Sequence, residues 1–319
     1  MPAIITHHIF GEDVLRTLPA GMVEGEEEVL AFLLGNQGPD PLFARFSTLP
    51  SVAARCHRLA HAMHEGRVVE AAFAMRDGVS HLPVADERVG RAFALGALGH
   101  YALDRTAHPF VFAQQEALAA AEPSLADAAS ELHAVIEADI DSWILWEKRR
   151  ATVLDRPAAS NLMRTERIDR VAGALLSQVA HAAFGVELAA EEYAGCTADY
   201  ELEYRVIDPA EKPLTRAVGA AERLVRPHSF AQSMAHRVVR TCDCPAANLD
   251  RREWRDPQTG ALRHESMADL FDEALGYYPA LAEALVRGER SRVEELVANV
   301  NYNGRVTESD SRTKPRTCS

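Results

Sequence analysis

A helical stripe of metal-binding side chains is the feature that most constrains how this chain folds. In the segment 99–109, His100, Asp104 and His108 recur at every fourth residue among alanines and leucines. Residues four apart lie on one face of an α-helix, so these three side chains are predicted to form one polar stripe. Pro109 follows and has no backbone N–H, so the helix is predicted to end at His108 or soon after.

The length of this stripe indicates more than one metal position. At about 1.5 Å of rise per residue, His100 and His108 lie roughly 12 Å apart along the helix axis. One ion with ligands at about 2 Å cannot easily span that distance. The ordinary alternative is that each histidine is a hydrogen-bonded core residue. However, buried ionisable groups without partners cost several kcal/mol each. We therefore predict two or more metal ions, with Asp104 between them.

A second pair of potential ligands lies on the next predicted helix, residues 124–150. His133 and Glu137 are four residues apart, about 6 Å along the axis, and can share one ion. His108 is a candidate third ligand, because two imidazoles and a carboxylate leave a fourth position open. Asp141, one turn further on, is interpreted either as a hydrogen-bond partner of a histidine N–H or, preferably, as a solvated charge.

Histidines near the N-terminus leave the choice of further ligands open. His7 and His8 point about 100° apart on a helix, so at most one of them readily faces a given site. A helical pattern over residues 51–76 carries three more histidines on one face, and composition does not distinguish which of them point inwards: His57, His61 and His64.

One aspartate lies in a loop that two prolines make rigid. Asp40 stands between Pro39 and Pro41, after the glycine that ends a predicted helix. It is interpreted either as a turn or cap residue or as a carboxylate held at the mouth of a cleft. The sequence alone leaves both interpretations open.

Composition bounds the class of protein. The chain has 319 residues, of which 47% are hydrophobic and 25% charged, as is usual for a globular protein. Its formal charge of −13 disfavours binding to nucleic acid or anionic lipid through an extended basic surface. Five sparse cysteines are typical of reduced thiols. No secretion signal and no long apolar run is evident, so we expect a cytoplasmic location and no membrane insertion.

The periodicity of apolar residues predicts an all-α fold with few strands. Small residues Gly96 and Gly99 are predicted to let a neighbouring helix approach closely. Residues 1–300 are predicted to form one helical domain, in which 241–264 is a crossover or cover loop, and 301–319 a disordered polar tail. Helical patterns cover residues 24–35, 51–76, 85–108, 124–150, 166–192, 194–206, 213–225, 266–287 and 289–299.

Taken together, these residues give a sequence that resembles the zinc-dependent phospholipase C family, and most closely its bacterial members without a secretion signal. The resemblance extends to about residue 290. It implies an all-α, single large multi-helix domain of the zinc-dependent phospholipase C and single-strand nuclease type. The matching features are Thr6-His7, residues 35–41 (GNQGPDP), 63–66 (MHEG) and 99–104 (GHYALD), then Trp254, Pro257, Gly260 and 265–270 (ESMADL).

The resemblance implies three zinc ions in a cleft. One zinc would be held by His64, His100 and Asp104. Asp104 would bridge to a second zinc, which is also held by His7. Asp40 matches the loop aspartate near the metals and would orient or deprotonate the attacking water.

The third zinc would be held by His108, His133 and Glu137, in agreement with the spacing of these residues. Secreted relatives also use an N-terminal tryptophan as a ligand, and this chain has no tryptophan there. We therefore expect two or three Zn²⁺ ions. The ion at His7 and Asp104 has the weakest ligand support of the three.

The resemblance implies a metal-dependent phosphoesterase, with phospholipase C-like hydrolysis of a small-molecule or lipid phosphodiester by a zinc-activated water. One alternative is a single-strand-specific nuclease, although His133-x-x-x-Glu137 and the acidic charge favour the lipase type and no nucleic-acid partner is expected. Another alternative is a non-catalytic helical module that holds metal.

Overall fold

The structure is a computed structural model, which describes residues 3–307. Within that range the chain is mostly helical, which confirms the all-α prediction. No helix in this range is long and apolar enough to cross a bilayer. The α-helices of residues 3–307 are α1 (Ile4–Leu15), α2 (Glu26–Gly35), α3 (Pro50–Glu65), α4 (Val68–Val79), α5 (Glu87–Ala121), α6 (Ala129–Arg149), α7 (Glu166–Phe184), α8 (Glu191–Ile207), α9 (Pro213–Glu222), α10 (Phe230–Met234), α11 (Met267–Arg287) and α12 (Arg290–Val297).

The long helix α5 is the centre of the molecule. Its 35 residues are buried along most of the stretch from Val89 to Ala113. Helices α1, α2, α4, α6, α7 and α11 all pack against it. The polar stripe of His100, Asp104 and His108 therefore lies in the interior of a helical bundle, where neighbouring helices can bring further side chains to it.

The prediction that this helix ends at or soon after His108 is wrong, because α5 continues through Pro109 to Ala121. A proline inside a helix removes one backbone hydrogen bond and costs about 3 kcal/mol. The residues that follow, Phe110 and Val111, are almost fully buried. Burial of such side chains contributes about 1.5–3 kcal/mol each, so tertiary packing outweighs the local penalty.

Close approach of α2 and α5 requires glycine. A Cβ atom at Gly96 would clash with the carbonyl oxygen of Phe32, and one at Gly35 would clash with the carbonyl oxygen of Phe93. The sequence-based prediction for Gly96 is thus confirmed. The contact matters for the site because α2 leads directly into the loop that carries Asp40.

The pattern over residues 51–76 forms two helices and not one. The backbone leaves the helical region at Gly66, and Arg67 has a left-handed φ of 58° before α4 begins. The predicted cover loop contains a short antiparallel pair, β1 (Trp254–Arg255) and β2 (Leu262–Arg263). Trp254 packs edge-on against Phe110 of α5, with ring centroids 5.4 Å apart.

A segment we name the C-terminal strap, residues 299–307, folds back onto the helices. Val300 pairs with Val306 in an antiparallel bridge, and Tyr302 is only 6% exposed. Asn301 Nδ2 donates to the Glu65 carbonyl oxygen at 3.2 Å. The prediction of a disordered tail from residue 301 is therefore wrong for residues 301–307, because an aromatic ring and backbone hydrogen bonds hold them. The remainder of that predicted tail, 308–319, lies outside the described residues.

Candidate metal centre

All eight predicted site residues converge in the interior, in two groups. We name them the five-residue cluster and the three-residue cluster. Helix α5 contributes to both, and helices α1, α3 and α6 and the loop after α2 supply the rest. The five-residue cluster is His7, Asp40, His64, His100 and Asp104, and the three-residue cluster is His108, His133 and Glu137.

Asp104 is the central carboxylate of the five-residue cluster. Its Oδ1 lies 3.1 Å from His7 Nε2, and its Oδ2 lies 3.1 Å from His100 Nε2. The same Oδ2 lies 3.7 Å from His64 Nε2. Each carboxylate oxygen thus faces a different imidazole, which is the arrangement that a bridging ligand between two ions requires.

Asp40 lies among the potential ligands themselves. Its Oδ1 is 3.3 Å from His64 Nε2 and 3.9 Å from His100 Nε2. These three residues form a group in which the ligand atoms lie within 4.8 Å of one another, as do His7, His100 and Asp104. His100 belongs to both groups. Asp40 thus belongs to a group of side chains that could hold a metal ion.

The three-residue cluster brings α5 and α6 together. Glu137 Oε1 lies 3.2 Å from His133 Nε2 and 3.5 Å from His108 Nε2. A cavity of about 20 Å³ is lined by members of both clusters, His7 and Asp104 from one and His108 and Glu137 from the other. That volume accommodates about one water molecule. The prediction from spacing that His108 can join His133 and Glu137 is consistent with this geometry.

Backbone carbonyls fix the tautomer of three of the histidines. The Nδ1–H of His64 donates to the Ala60 carbonyl at 2.8 Å, and that of His100 donates to the Asn36 carbonyl at 3.0 Å. His108 Nδ1–H donates to the Tyr302 carbonyl at 2.9 Å. A carbonyl oxygen carries no proton, so Nδ1 must be the donor in each pair. Each neutral ring therefore presents the Nε2 lone pair to the cluster, as in metal-binding histidines whose other nitrogen is held by a hydrogen bond.

Three buried ligand atoms of the five-residue cluster lack hydrogen bonds. Within residues 3–307, His100 Nε2, Asp104 Oδ2 and Asp40 Oδ1 have no hydrogen-bond partner, although they lie together in the five-residue cluster. An unsatisfied buried polar atom costs about 1–3 kcal/mol, and more when it is charged. A cation among these atoms would satisfy all three. The residues present therefore fit a metal ion, and the His, Asp and Glu donors with no cysteine suit zinc and related divalent ions.

Charges within the site stabilise one another. Burial disfavours ionised Asp104, yet the neighbouring His100 and His108 hold the pKa of that carboxyl well below its usual range. Burial likewise opposes protonation of His108, but the Asp104 and Glu137 carboxylates raise its pKa to about 9. Burial and the charge of His100 both lower the pKa of His7. In metal-free protein, protons on imidazoles thus supply positive charge that a metal would otherwise provide.

The N-terminus of α1, which positions His7, is anchored by Asp141. The Asp141 carboxylate accepts hydrogen bonds from Ile5 N at 2.9 Å and from Thr6 N at 2.8 Å. It also accepts one from Thr6 Oγ1 at 2.5 Å and is fully buried. The preferred interpretation of Asp141 as a solvated charge is therefore wrong, because helix α6 places it opposite free backbone N–H groups of α1.

His236 completes this anchor from the other side. Its Nε2 lies 3.0 Å from Asp141 Oδ2, and its Nδ1 lies 2.7 Å from Asp208 Oδ2. The interpretation of His236 as a structural residue agrees with these contacts. Asp141 does pair with a histidine, but that histidine lies outside both clusters. Sequence reasoning missed the connection, because Asp208 and His236 show no ligand spacing.

The histidines that the resemblance does not select lie outside both clusters. His8 Nε2 lies 3.5 Å from Glu12 on the other side of α1. His61 is exposed and contacts the Phe43 ring edge-on, and His57 is half-buried outside the clusters. His7 and His64 are thus the members of their groups that face the site, which agrees with the resemblance.

Tyr302 is a site residue that sequence reasoning missed. Its ring centroid lies 5.2 Å from that of His64 and 5.8 Å from that of His100, and its carbonyl orients His108. It therefore contacts both clusters. One sequence feature could have indicated Tyr302: it is an isolated tyrosine after the last apolar helix. It lies in a polar stretch with the composition of a turn, Asn301-Tyr302-Asn303-Gly304.

Comparison with models of known protein families, with curated proteins and with solved structures finds no match to this chain. The similarity to the zinc-dependent phospholipase C family thus stays a prediction from the residues quoted above. What the structure itself establishes is the class: an all-α protein with buried His, Asp and Glu groups able to hold metal ions.

Proposed function

We propose that the protein is a zinc-dependent phosphoric ester hydrolase that cleaves a small-molecule or lipid phosphodiester in the manner of phospholipase C. The observation that carries the proposal is the convergence of eight ionisable side chains from α1, α3, α5, α6 and the Asp40 loop into two adjacent clusters. A single metal that only supports the fold needs about four ligands in a closed site. Eight potential ligands in two adjacent clusters, among them a carboxylate placed to bridge two ions, favour a multinuclear reaction centre.

Zinc ions bound here would neutralise phosphate oxygens, lower the pKa of a water molecule and stabilise the leaving alkoxide. His64 and His100 would hold one ion through Nε2, with Asp40 and Asp104. His7 and Asp104 would hold a second ion. A third ion would be held by the three-residue cluster.

Asp40 is the residue proposed to act on the nucleophile. Burial opposes its ionisation, but the charge of His100 contributes to lowering the pKa of its carboxyl. It is thus an unprotonated carboxylate at neutral pH, with Oδ1 directed at the histidines of the cluster. Such a carboxylate can accept a proton from an attacking water or orient that water by a hydrogen bond.

The test begins with metal content. The protein is purified without chelator, and zinc, manganese and iron are measured per chain. The zinc-loaded protein is then assayed with bis(p-nitrophenyl) phosphate and with phosphatidylcholine. We expect two or three zinc ions and turnover of at least one substrate. A fully loaded sample without turnover of either would refute the enzymatic proposal and favour a metal-holding module.

Paired histidine variants make this test specific. His64→Ala removes a proposed ligand, whereas His61→Ala removes an exposed histidine of the same helix and serves as its control. We expect the first to lose about one ion and at least a hundredfold in rate, and the second to lose neither. Digestion of single-stranded DNA at a rate above that of the phosphodiester substrates would favour the nuclease alternative.

A further inference from the structure

Asp199 of helix α8 holds the segment that follows Asp40. Its Oδ2 accepts a hydrogen bond from Arg45 Nη1 at 2.7 Å. The same oxygen accepts hydrogen bonds from Phe46 N at 3.0 Å and from Ser47 N at 2.9 Å. Its Oδ1 accepts a further one from Ser47 Oγ. The Asp199 carboxylate thus binds three consecutive residues, and we name its contact with residues 45–47 the α8 clamp.

Arg45 ties the α8 clamp to a second carboxylate of the same helix. Its Nε donates to Glu192 Oε2 at 2.9 Å, and the side chains of Arg45 and Asp199 are only 10% and 5% exposed. The guanidinium lies against Gly195, where a Cβ atom would be 2.6 Å from the Arg45 Cζ. A planar guanidinium held between two carboxylates has its charge compensated and its orientation fixed. The α8 clamp is therefore a rigid attachment, largely withdrawn from solvent.

The clamp fixes one end of the short element that begins with Asp40. Residues Asp40–Ala44 form a 3₁₀-helix, and Arg45 is the residue at its C-terminal end. At about 2.0 Å of rise per residue, this element spans only about 10 Å. Its Leu42 is fully buried. A displacement at the clamp is therefore transmitted along a short, packed piece of backbone to Asp40.

The segment before Asp40 is attached to helices that carry site histidines. Gln37 Nε2 donates to the Ile4 carbonyl of α1 at 3.2 Å. The Asn36 carbonyl accepts the Nδ1–H of His100 on α5 at 3.0 Å. The backbone around Asp40 is thus held on one side by α1 and α5 and on the other by α8.

Asp40 needs this support because its side chain is in an unfavourable position by itself. Within residues 3–307 its Oδ1 is buried and has no hydrogen-bond partner, although it lies 3.3 Å from His64 Nε2 and 3.9 Å from His100 Nε2. A buried carboxylate oxygen without a hydrogen bond gains free energy by moving towards water. The hydrogen bonds of a 3₁₀-helix have poor geometry, so they resist such a movement weakly.

We propose that Asp199 and Arg45 are positioning residues for Asp40, which keep its carboxylate directed at His64 and His100 through the backbone of residues 40–47. This inference deepens the proposed function and rests on it, because it names the residues that hold the proposed proton acceptor in place. The position of Asp40 can nevertheless be measured without any reaction.

A double-mutant cycle tests whether the clamp acts through Asp40. The values of kcat and KM for bis(p-nitrophenyl) phosphate are measured at saturating zinc for Asp199→Asn, Asp40→Asn and the double variant. A misplacement of about 1 Å can cost roughly a hundredfold in rate, so we expect Asp199→Asn to lower kcat by about 10–100-fold. In the Asp40→Asn background the same change should lower kcat by less than about twofold. Losses that multiply in the double variant would overturn the proposal.

Two further variants separate positioning from a general loss of stability. Arg45→Lys keeps the charge but loses the planar fork, and should show the same pattern with a smaller loss of kcat. Glu201→Gln is the matched control, because Glu201 lies on the same helix and pairs with Arg164 and Arg205 outside the clamp. We expect its kcat to equal that of the unaltered protein, and an equal loss in Glu201→Gln would refute the assignment.

Crystal structures of the metal-free variants provide the readout that is independent of catalysis. In Asp199→Asn we expect Asp40 Oδ1 to lie at least about 1 Å farther from His64 Nε2 than the 3.3 Å of the unaltered protein, and in Glu201→Gln to stay in place. An unmoved Asp40 in Asp199→Asn would overturn the proposal. A displaced Asp40, in a protein whose unaltered form turns over no phosphodiester, would leave the positioning role standing and refute the proposed function alone.

Discussion

The Nδ1 atom of His108 lies 2.9 Å from the carbonyl oxygen of Tyr302, so that a residue of the C-terminal strap orients a potential ligand on the central helix. The two residues are 194 positions apart in the chain. The ring of Tyr302 meanwhile packs on His64 and His100 of the other cluster. The strap thus connects both clusters, and its removal is expected to affect metal binding as well as stability.

Replacement of Tyr302 tests this relationship. Tyr302→Ala removes a buried ring and is expected to cost about 3–5 kcal/mol in the free energy of unfolding. It is also expected to weaken zinc binding by about 10–100-fold, because His64 and His100 lose the ring that packs on them. Chemical denaturation and competition with a zinc indicator measure the two effects.

Two controls accompany this variant. Tyr302→Phe keeps the ring and the backbone carbonyl, so its zinc affinity should match that of the unaltered protein. Val306→Ala changes an exposed residue of the same strap, whose side chain is 73% exposed, and should leave both quantities nearly unchanged. Unaltered zinc affinity in Tyr302→Ala would show that the ring of Tyr302 has no part in the metal centre.

Asp141→Asn is expected to loosen the N-terminus of α1. The variant removes the charge that pairs with His236 and weakens the hydrogen bonds to Ile5 and Thr6. Breaking one partner of a buried charged network costs about 3–5 kcal/mol. Because Thr6 precedes His7, we also expect loss of the ion at His7 and Asp104 before the others.

The matched control is Asp139→Asn, two residues earlier on the same helix, where the carboxylate is 36% exposed. Urea denaturation and zinc content per chain distinguish the two variants. If both variants lose the same stability, or if Asp141→Asn keeps all of its zinc at limiting metal, the positioning role of Asp141 is refuted.

His236 makes stability depend on pH in the alkaline range. Burial opposes its protonation, but the Asp208 and Asp141 carboxylates raise its pKa to about 10. An ordinary histidine in the unfolded chain titrates near 6.5. The stabilisation from protonated His236 is therefore fully present below about pH 6.5 and is lost progressively as pH rises towards 10.

This dependence is measured by urea denaturation between pH 6 and 10 on metal-free protein. We expect a loss of a few kcal/mol across the range. His236→Gln should be less stable at pH 6 and should show a flatter profile. His181→Gln, at a histidine whose side chain is 71% exposed, should follow the unaltered protein. A profile in His236→Gln as steep as in the unaltered protein would contradict the assignment.

Zinc binding is expected to release protons. In metal-free protein the Asp104 and Glu137 carboxylates raise the pKa of His108 to about 9 in spite of burial, and the pKa of His100 is raised as well. A ligating imidazole must give up its Nε2 proton, so metal competes with protons at both residues. Affinity for zinc should consequently increase as pH rises from 6 towards 9.

Calorimetric titration at pH 7 in buffers of different ionisation enthalpy measures this release. We expect one to two protons per fully loaded chain, and fewer in His108→Gln. His181→Gln again provides the control, because its ring is exposed and belongs to neither cluster. An apparent enthalpy that is independent of the buffer would exclude proton-coupled binding.

The part of the site carried by regular helices could be predicted from the sequence. His100, Asp104 and His108 share a face because their spacing of four residues matches the helical repeat. The same reasoning pairs His133 with Glu137, which lie 3.2 Å apart. Such relations depend only on local backbone geometry. The all-α class also follows from periodicity, since few stretches alternate as strands do.

Tertiary structure decided what local geometry leaves open. Helical spacing leaves His57, His61 and His64 open, and the packing of α3 turns His64 inwards, in agreement with the resemblance. Only the fold of the strap brings Tyr302 to His108. Burial of Phe110 and Val111 carries α5 past Pro109, and the approach of α1 to α6 buries Asp141. In each case the outcome depends on contacts between segments distant in the chain, whose energies exceed the local preferences that a sequence pattern records.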